Sequence, residues 1–202
     1  MAKLKLTYFD FPISRGEECR LALHVSGVDF EDHRIPSASW PELKAGTPFG
    51  ALPTLEAEGK PTLAQSSAIL AYVGRTYGLH PDDPWEAARH EALFAAVEEY
   101  RHAAGLTGSK DEDEKKQKRE AFAAGFLQTW AGQVERQIEG PFVAGEKLNV
   151  VDLKIFTIVD AIAGGAYDYI GASDLAAFPK LLGLREAVSK NPKVAEWKAR
   201  SA

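Results

Sequence analysis

Cysteine is almost absent from the chain: Cys19 stands alone among 202 residues, which excludes an internal disulfide framework and a CxxC redox pair. No apolar run approaches the roughly 18 residues that a membrane helix needs. The opening MAKLKLTYF lacks the long apolar core of a signal peptide, so a reducing cytoplasm is the expected location. The histidines His24, His33, His80, His90 and His102 are scattered without ligand spacing, and no metal is expected. A basic excess is missing as well. Lys and Arg number 24 against 29 Asp and Glu, a net charge of −5, whereas duplex binding normally depends on clustered Lys and Arg. Nucleic acid is therefore not an expected partner, although a few local cations can still dominate one small pocket.

What is present is an ordinary globular composition, 45% hydrophobic and 26% charged, at a length that fits one large domain or two small ones. Two rhythms divide it. Leu6-Thr7-Tyr8-Phe9 closes a strand that begins near Lys3, and Glu17 to Ser26 is a helix stopped by Gly27. Phe30 to Ile35 is a second strand. Leu52 to Leu63 is a hairpin turning at Gly59 and Lys60. Gln65 to Tyr77 is helical again, closed by Gly78. Beyond it there is almost no strand signal. Helical patterns run from Pro84 to about Ala104, Asp113 to Ile138, Val150 to Ala163, Leu181 to Ser189 and Val194 to Ala199. Asp83-Pro84-Trp85-Glu86 is a well-formed helix start, so His80 to Asp83 reads as a linker. Asn149-Val150-Val151-Asp152 has capping-box spacing, with Leu148 and Leu153 placed as a hydrophobic staple, the mark of a helix that begins inside the core. The mixed-sign run Lys110 to Glu120 reads as a solvated helix start.

Several spaced motifs together resemble the cytosolic glutathione transferases. Tyr8-Phe9-Asp10-Phe11 with Arg15-Gly16-Glu17, Pro48-Phe49-Gly50-Ala51-Leu52-Pro53 and Gln65-Ser66-Ser67-Ala68-Ile69 carry the likeness. Glu31 to Ile35 followed by Trp40-Pro41-Glu42-Leu43-Lys44 is similar to the sigma class, which includes the haematopoietic prostaglandin D synthases and the lens S-crystallins. The resemblance spans essentially the whole chain. It implies an α/β plus all-α architecture, with a thioredoxin-like domain over residues 1–80 and an all-helical domain over 83–202. It also implies a homodimer that uses glutathione as co-substrate. Departures are the longer Pro12-Ile13-Ser14 loop, Lys60-Pro61 in the hairpin, and Asn149 where relatives cap with Ser or Thr.

Residue by residue, the resemblance places Trp40 and Lys44 at the glycyl carboxylate, the Leu52 backbone at the cysteinyl amide with Pro53 cis, and Gln65-Ser66 at the γ-glutamyl carboxylate. A helix N-terminus suits that last role, because its N–H groups are unpaired and its dipole is positive. Glu99 is expected to reach the ammonium of a ligand in the partner subunit, with Glu98 beside it. Tyr8 is expected to hold the sulfur as a thiolate, helped by Arg15. Phe9, Phe11, Ile13, Tyr100, Arg101, Leu106 and Lys154 are the expected acceptor walls, and Phe49 an interface anchor. Leu106 and Lys154 stand where prostaglandin synthases of the class have a tryptophan and a tyrosine, which counts against isomerase activity.

Each residue alone has a plainer reading. Tyr8 could be a packing aromatic, Lys44 and Glu99 solvated charges, Arg15 a surface cation, and Gln65-Ser66 only a helix start. Cys19 is expected to be a small buried hydrophobe rather than a nucleophile, and Ser14 a helix cap. Rival functions are a non-catalytic storage or lens-like protein, a thiol–disulfide enzyme using Cys19, and a glutathione-dependent isomerase or peroxidase.

Overall fold

A computed structural model describes residues 3–201. Strand β1 (Leu4–Phe9) pairs in parallel with β2 (Phe30–Ile35), so that Tyr8 lies opposite Arg34. β3 (Thr54–Glu56) runs antiparallel to β1, and β4 (Leu63–Ala64) antiparallel to β3, giving the order β2-β1-β3-β4. Alternation along β1 puts Leu4, Leu6 and Tyr8 into the core. α1 (Ser14–Val25) and α3 (Ser66–Tyr77) pack together behind the sheet. A short helix α2 (Trp40–Leu43), absent from the sequence reading, crosses between β2 and β3, with Pro41 in its first turn.

The second half is helical: α4 (Pro84–Gly105), α5 (Glu112–Phe122), α6 (Gln128–Glu135), α7 (Val150–Ala163), α8 (Pro179–Ser189) and α9 (Pro192–Ser201). The single helix expected over Asp113 to Ile138 is interrupted by a π-turn at Ala123–Leu127. The Gln128 side-chain amide donates to the Ala123 carbonyl within this turn and to the Asp174 carbonyl between α7 and α8. α7 is the hub. Every residue from Val150 to Val159 is buried, and α7 touches α1, α3, α4 and α8. At about 1.5–3 kcal/mol per buried aliphatic side chain, this helix anchors the helical half to the sheet half. Among the described residues, no helix is long and apolar enough to cross a membrane.

Candidate active site

Tyr8 ends β1 beneath the start of α1, 5% exposed. Its ring meets Phe9 and Phe11 edge-on, at centroid distances of 5.4 and 5.5 Å. Gly16 closes the other side: a Cβ there would stand 2.0 Å from the Tyr8 Cδ1 atom. Arg20, fully buried, donates to the carbonyls of Phe9 and Phe11 at 3.0 Å each and to Asp32 at 2.8 Å. The turn that follows the phenol is thus pinned by a guanidinium fork. Burial raises the Tyr8 pKa above its ordinary value, and the facing Ser14 hydroxyl, Arg15 and Arg101 pull it only partly back. The phenol is neutral at pH 7 and available as a donor.

The helix cap expected at Ser14 does not form. Ser14 is the first residue of α1, its backbone lies at φ 65°, and no side-chain cap bond is made there. A serine displaced from the cap position can instead face Tyr8. Cys19 is fully buried, and burial pushes its thiol well above the usual range.

Of the positions assigned to the tripeptide, Trp40 and Leu52 share one cavity. Trp40 stands edge-on to Phe9 at 5.8 Å, and with Leu52 and Thr47 it borders a cavity of about 280 Å³ between sheet and α2. Lys44 is exposed at the end of α2, close to Gly50 across the following loop. The Leu52–Pro53 peptide is cis, as the resemblance implies. Gln65, at φ 72° and ψ 118°, precedes α3 and offers no side-chain cap bond, and α3 has no acid in its first turn. A non-glycine residue held there costs on the order of 1–3 kcal/mol of backbone strain. Ser66 follows, 3% exposed.

Behind Tyr8 the two halves are joined by a charge cluster. Glu18, fully buried on α1, accepts from Arg101 at 2.5 Å and Lys154 at 2.6 Å. Glu98 on α4 accepts from Arg15 at 2.8 Å and from Arg101 and Lys154 at 2.7 Å each. Burial works against both carboxylates, but the cations win: Lys154 and Arg101 hold Glu18 low, and together with Arg15 they bring Glu98 down to about 2. Arg15 therefore spends much of its charge on Glu98 rather than on whatever lies above Tyr8.

The expected acceptor walls do not come together as one surface. Phe9 and Phe11 stack on each other at 5.6 Å, on the Trp40 side. Arg15 and Arg101 share a cavity of about 260 Å³ with Ser14, Arg119 and Tyr167. Ile13 lines a different cavity of about 180 Å³, with Phe156 and Lys198. Leu106 is 67% exposed. Two residues are corrected outright. Tyr100 is fully buried, packed against Trp130 at 4.8 Å, because it lies on the inner face of α4. Lys154 is also fully buried, held by its two carboxylates. Neither has surface for a substrate. Glu99 points outward along a groove of about 330 Å³ between α4 and α6, beside Phe126 and Gln133, and Phe49 is 68% exposed. Glu18, Arg20 and the Ser14–Tyr8 approach escaped the sequence reading. The one available signal was the density of charge on α1, a helix otherwise wholly buried from Gly16 to Leu23.

Residues 4–75 match the family model for the glutathione S-transferase N-terminal domain, and residues 99–201 that for the C-terminal domain. A probable glutathione S-transferase 7 of Caenorhabditis elegans is 31% identical over 206 residues, covering 98% of this chain and 96% of that protein. The hematopoietic prostaglandin D synthase of Gallus gallus is 31% identical over 200 residues, with 98% and 96% covered. Among solved structures, prostaglandin synthase D of Nilaparvata lugens superimposes with a TM-score of 0.86 at 27% identity, over 98% of each chain.

Proposed function

Because the chain belongs to the glutathione S-transferase family, we propose that Tyr8 holds the glutathione sulfur as a thiolate, which then attacks small hydrophobic electrophiles. The carrying observation is the neutral phenol, caged by Phe9 and Phe11 and seated on Gly16. A free thiol has a pKa of about 8.5, and bringing it to about 6.5 requires approximately 3 kcal/mol of thiolate stabilisation. A hydrogen bond to a charged acceptor supplies about 1.5–3 kcal/mol, and the first turn of α1 about 0.3–1 more. With Arg15 engaged by Glu98, the phenol carries most of the effect. The thiolate forms the new C–S bond as the leaving group departs, and the phenol keeps its proton throughout.

In this reading Trp40 and Lys44 meet the glycyl carboxylate, Leu52 pairs with the cysteinyl amide, and Gln65-Ser66 binds the γ-glutamyl carboxylate. The sheet half ends near residue 80, and the helical half, from about 83, supplies the acceptor side. Arg15, Arg101, Phe9, Phe11, Ile13 and Leu106 remain the proposed acceptor surroundings, and no metal takes part. The protein works as a cytoplasmic homodimer, with Phe49 and the Glu99 groove at its interface and Glu99 completing the partner's site.

Titrating enzyme-bound glutathione by thiolate absorbance tests the mechanism. Tyr8→Phe should raise the apparent thiol pKa by about 1–2 units and lower kcat/KM about 10–100-fold. An unchanged thiol pKa in that variant rejects the role of Tyr8. A glutathione-dependent isomerase is the second reading, favoured by the likeness to the Gallus gallus prostaglandin synthase. A panel of aryl halides, unsaturated carbonyls, hydroperoxides and prostaglandin precursor separates the two.

A further inference from the structure

Lys154 is the one charged residue besides Asp152 in the wholly buried run from Val150 to Val159. Burying an ammonium costs several kcal/mol that pairing barely recovers, and an apolar residue of similar volume usually serves stability as well or better. Packing alone does not account for a lysine at the centre of α7. Its contacts do. The ammonium has three donors and no acceptor, and all three are placed: Glu18 at 2.6 Å, Glu98 at 2.7 Å and the Ser66 hydroxyl oxygen at 3.3 Å.

The third contact fixes the direction of a proton. Since Lys154 can only donate, Ser66 Oγ accepts from it, and the hydroxyl's own hydrogen is left to be given elsewhere. The cluster is also unbalanced: Arg15, Arg101 and Lys154 share only Glu18 and Glu98, an excess of one positive charge. Lys154 sets part of that excess directly against the first residue of α3, a helix with no acid in its first turn and no side-chain cap at Gln65.

We infer that Lys154 is a positioning residue for glutathione: from across the domain interface it orients the Ser66 hydroxyl and makes the start of α3 positive where the γ-glutamyl carboxylate binds. This rests on the assignment of that carboxylate to Gln65-Ser66. It also explains why a residue without solvent contact is a cation.

The test compares two ligands on the full-length protein, by calorimetric titration. One is glutathione. The other is 4-aminobutyryl-cysteinyl-glycine, which lacks only the γ-glutamyl α-carboxylate. Wild type should prefer glutathione by about tenfold or more, the range of a charge-assisted hydrogen bond. Lys154→Met should cut that preference about tenfold and raise the KM for glutathione, with kcat at saturating glutathione and the bound-thiol pKa unchanged. Glu18→Gln/Lys154→Met removes an anion together with the cation; it should show the same loss of preference and serves if the single variant does not fold. An undiminished preference overturns the inference and leaves the binding assignment standing. Equal weakening of both ligands likewise overturns it, since a merely structural lysine would act that way. No preference in wild type overturns the carboxylate assignment, and this inference falls with it.

Discussion

Two helices of this protein begin in opposite ways. α7 supplies its own acid: Asp152, fully buried, accepts from the backbone N–H of Asn149 at 2.7 Å and of Val143 at 2.8 Å, and burial raises its pKa to about 7. α3 has no acid in its first turn and no side-chain cap, and its entry residue Gln65 is held at φ 72°. Both starts carry unpaired N–H groups and a positive dipole end. One is closed by the chain itself, and the other is open, where the proposed function seats the ligand's γ-glutamyl carboxylate. On the proposed function, the difference separates a start built for stability from one built for binding.

Removing the internal hydrogen-bond acceptor should therefore cost the most. Asp152→Ala leaves two buried donors unpaired, and a loss of about 3 kcal/mol is expected in denaturant unfolding. A loss as large in Ser66→Ala would erase the contrast. Next comes the cluster that joins the two starts through Lys154. Glu98 has its folded pKa lowered to about 2 from an ordinary 4.5, so its stabilisation is complete above pH 4.5 and fades as pH falls through 2. The stability gap between wild type and Glu98→Gln should stay flat from pH 7 to 4.5, at about 2 kcal/mol after allowance for screening, and close below that. A gap that widens on acidification contradicts the sign.

A third experiment acts on the open start itself. Ser66→Ala should raise the KM for glutathione about tenfold and change stability by less than about 1 kcal/mol. The smallest effect makes α3 resemble α7. Ala68 holds the position that Asp152 holds in α7, three residues beyond the cap, and it is exposed. Ala68→Asp should compete with the ligand carboxylate, raising the KM about fivefold while the melting temperature holds or rises slightly. An unaltered KM would mean that the ligand does not use this helix end.

The sequence was most legible where chemistry is local. The limits of the first two strands, the Gly78 stop, the Asp83 cap and the Asn149–Asp152 spacing each depend on residues within a few positions, and all reappear in the structure, whereas the hairpin strands shorten to Thr54–Glu56 and Leu63–Ala64. The buried charges were not legible. Glu18 finds Arg101 83 residues away and Lys154 136 away, and nothing in the neighbourhood of any of the three announces the others. Tyr100 was misplaced for a related reason. A helical period of 3.6 identifies a face, but only packing decides whether that face meets the core or a substrate. The π-turn in the fourth helical pattern escaped because its compensation, Gln128 to Asp174, is again long-range.

The absent methyl group at residue 16 has a consequence for how the enzyme can diversify. With one side of the ring set directly on main chain, no side chain at position 16 can displace the Tyr8 hydroxyl. On the proposed function, Ile13 and Leu106, 46% and 67% exposed, are free to vary with the choice of electrophile. On that reading a lineage can change what it conjugates without retuning the step that makes the nucleophile, provided position 16 stays bare.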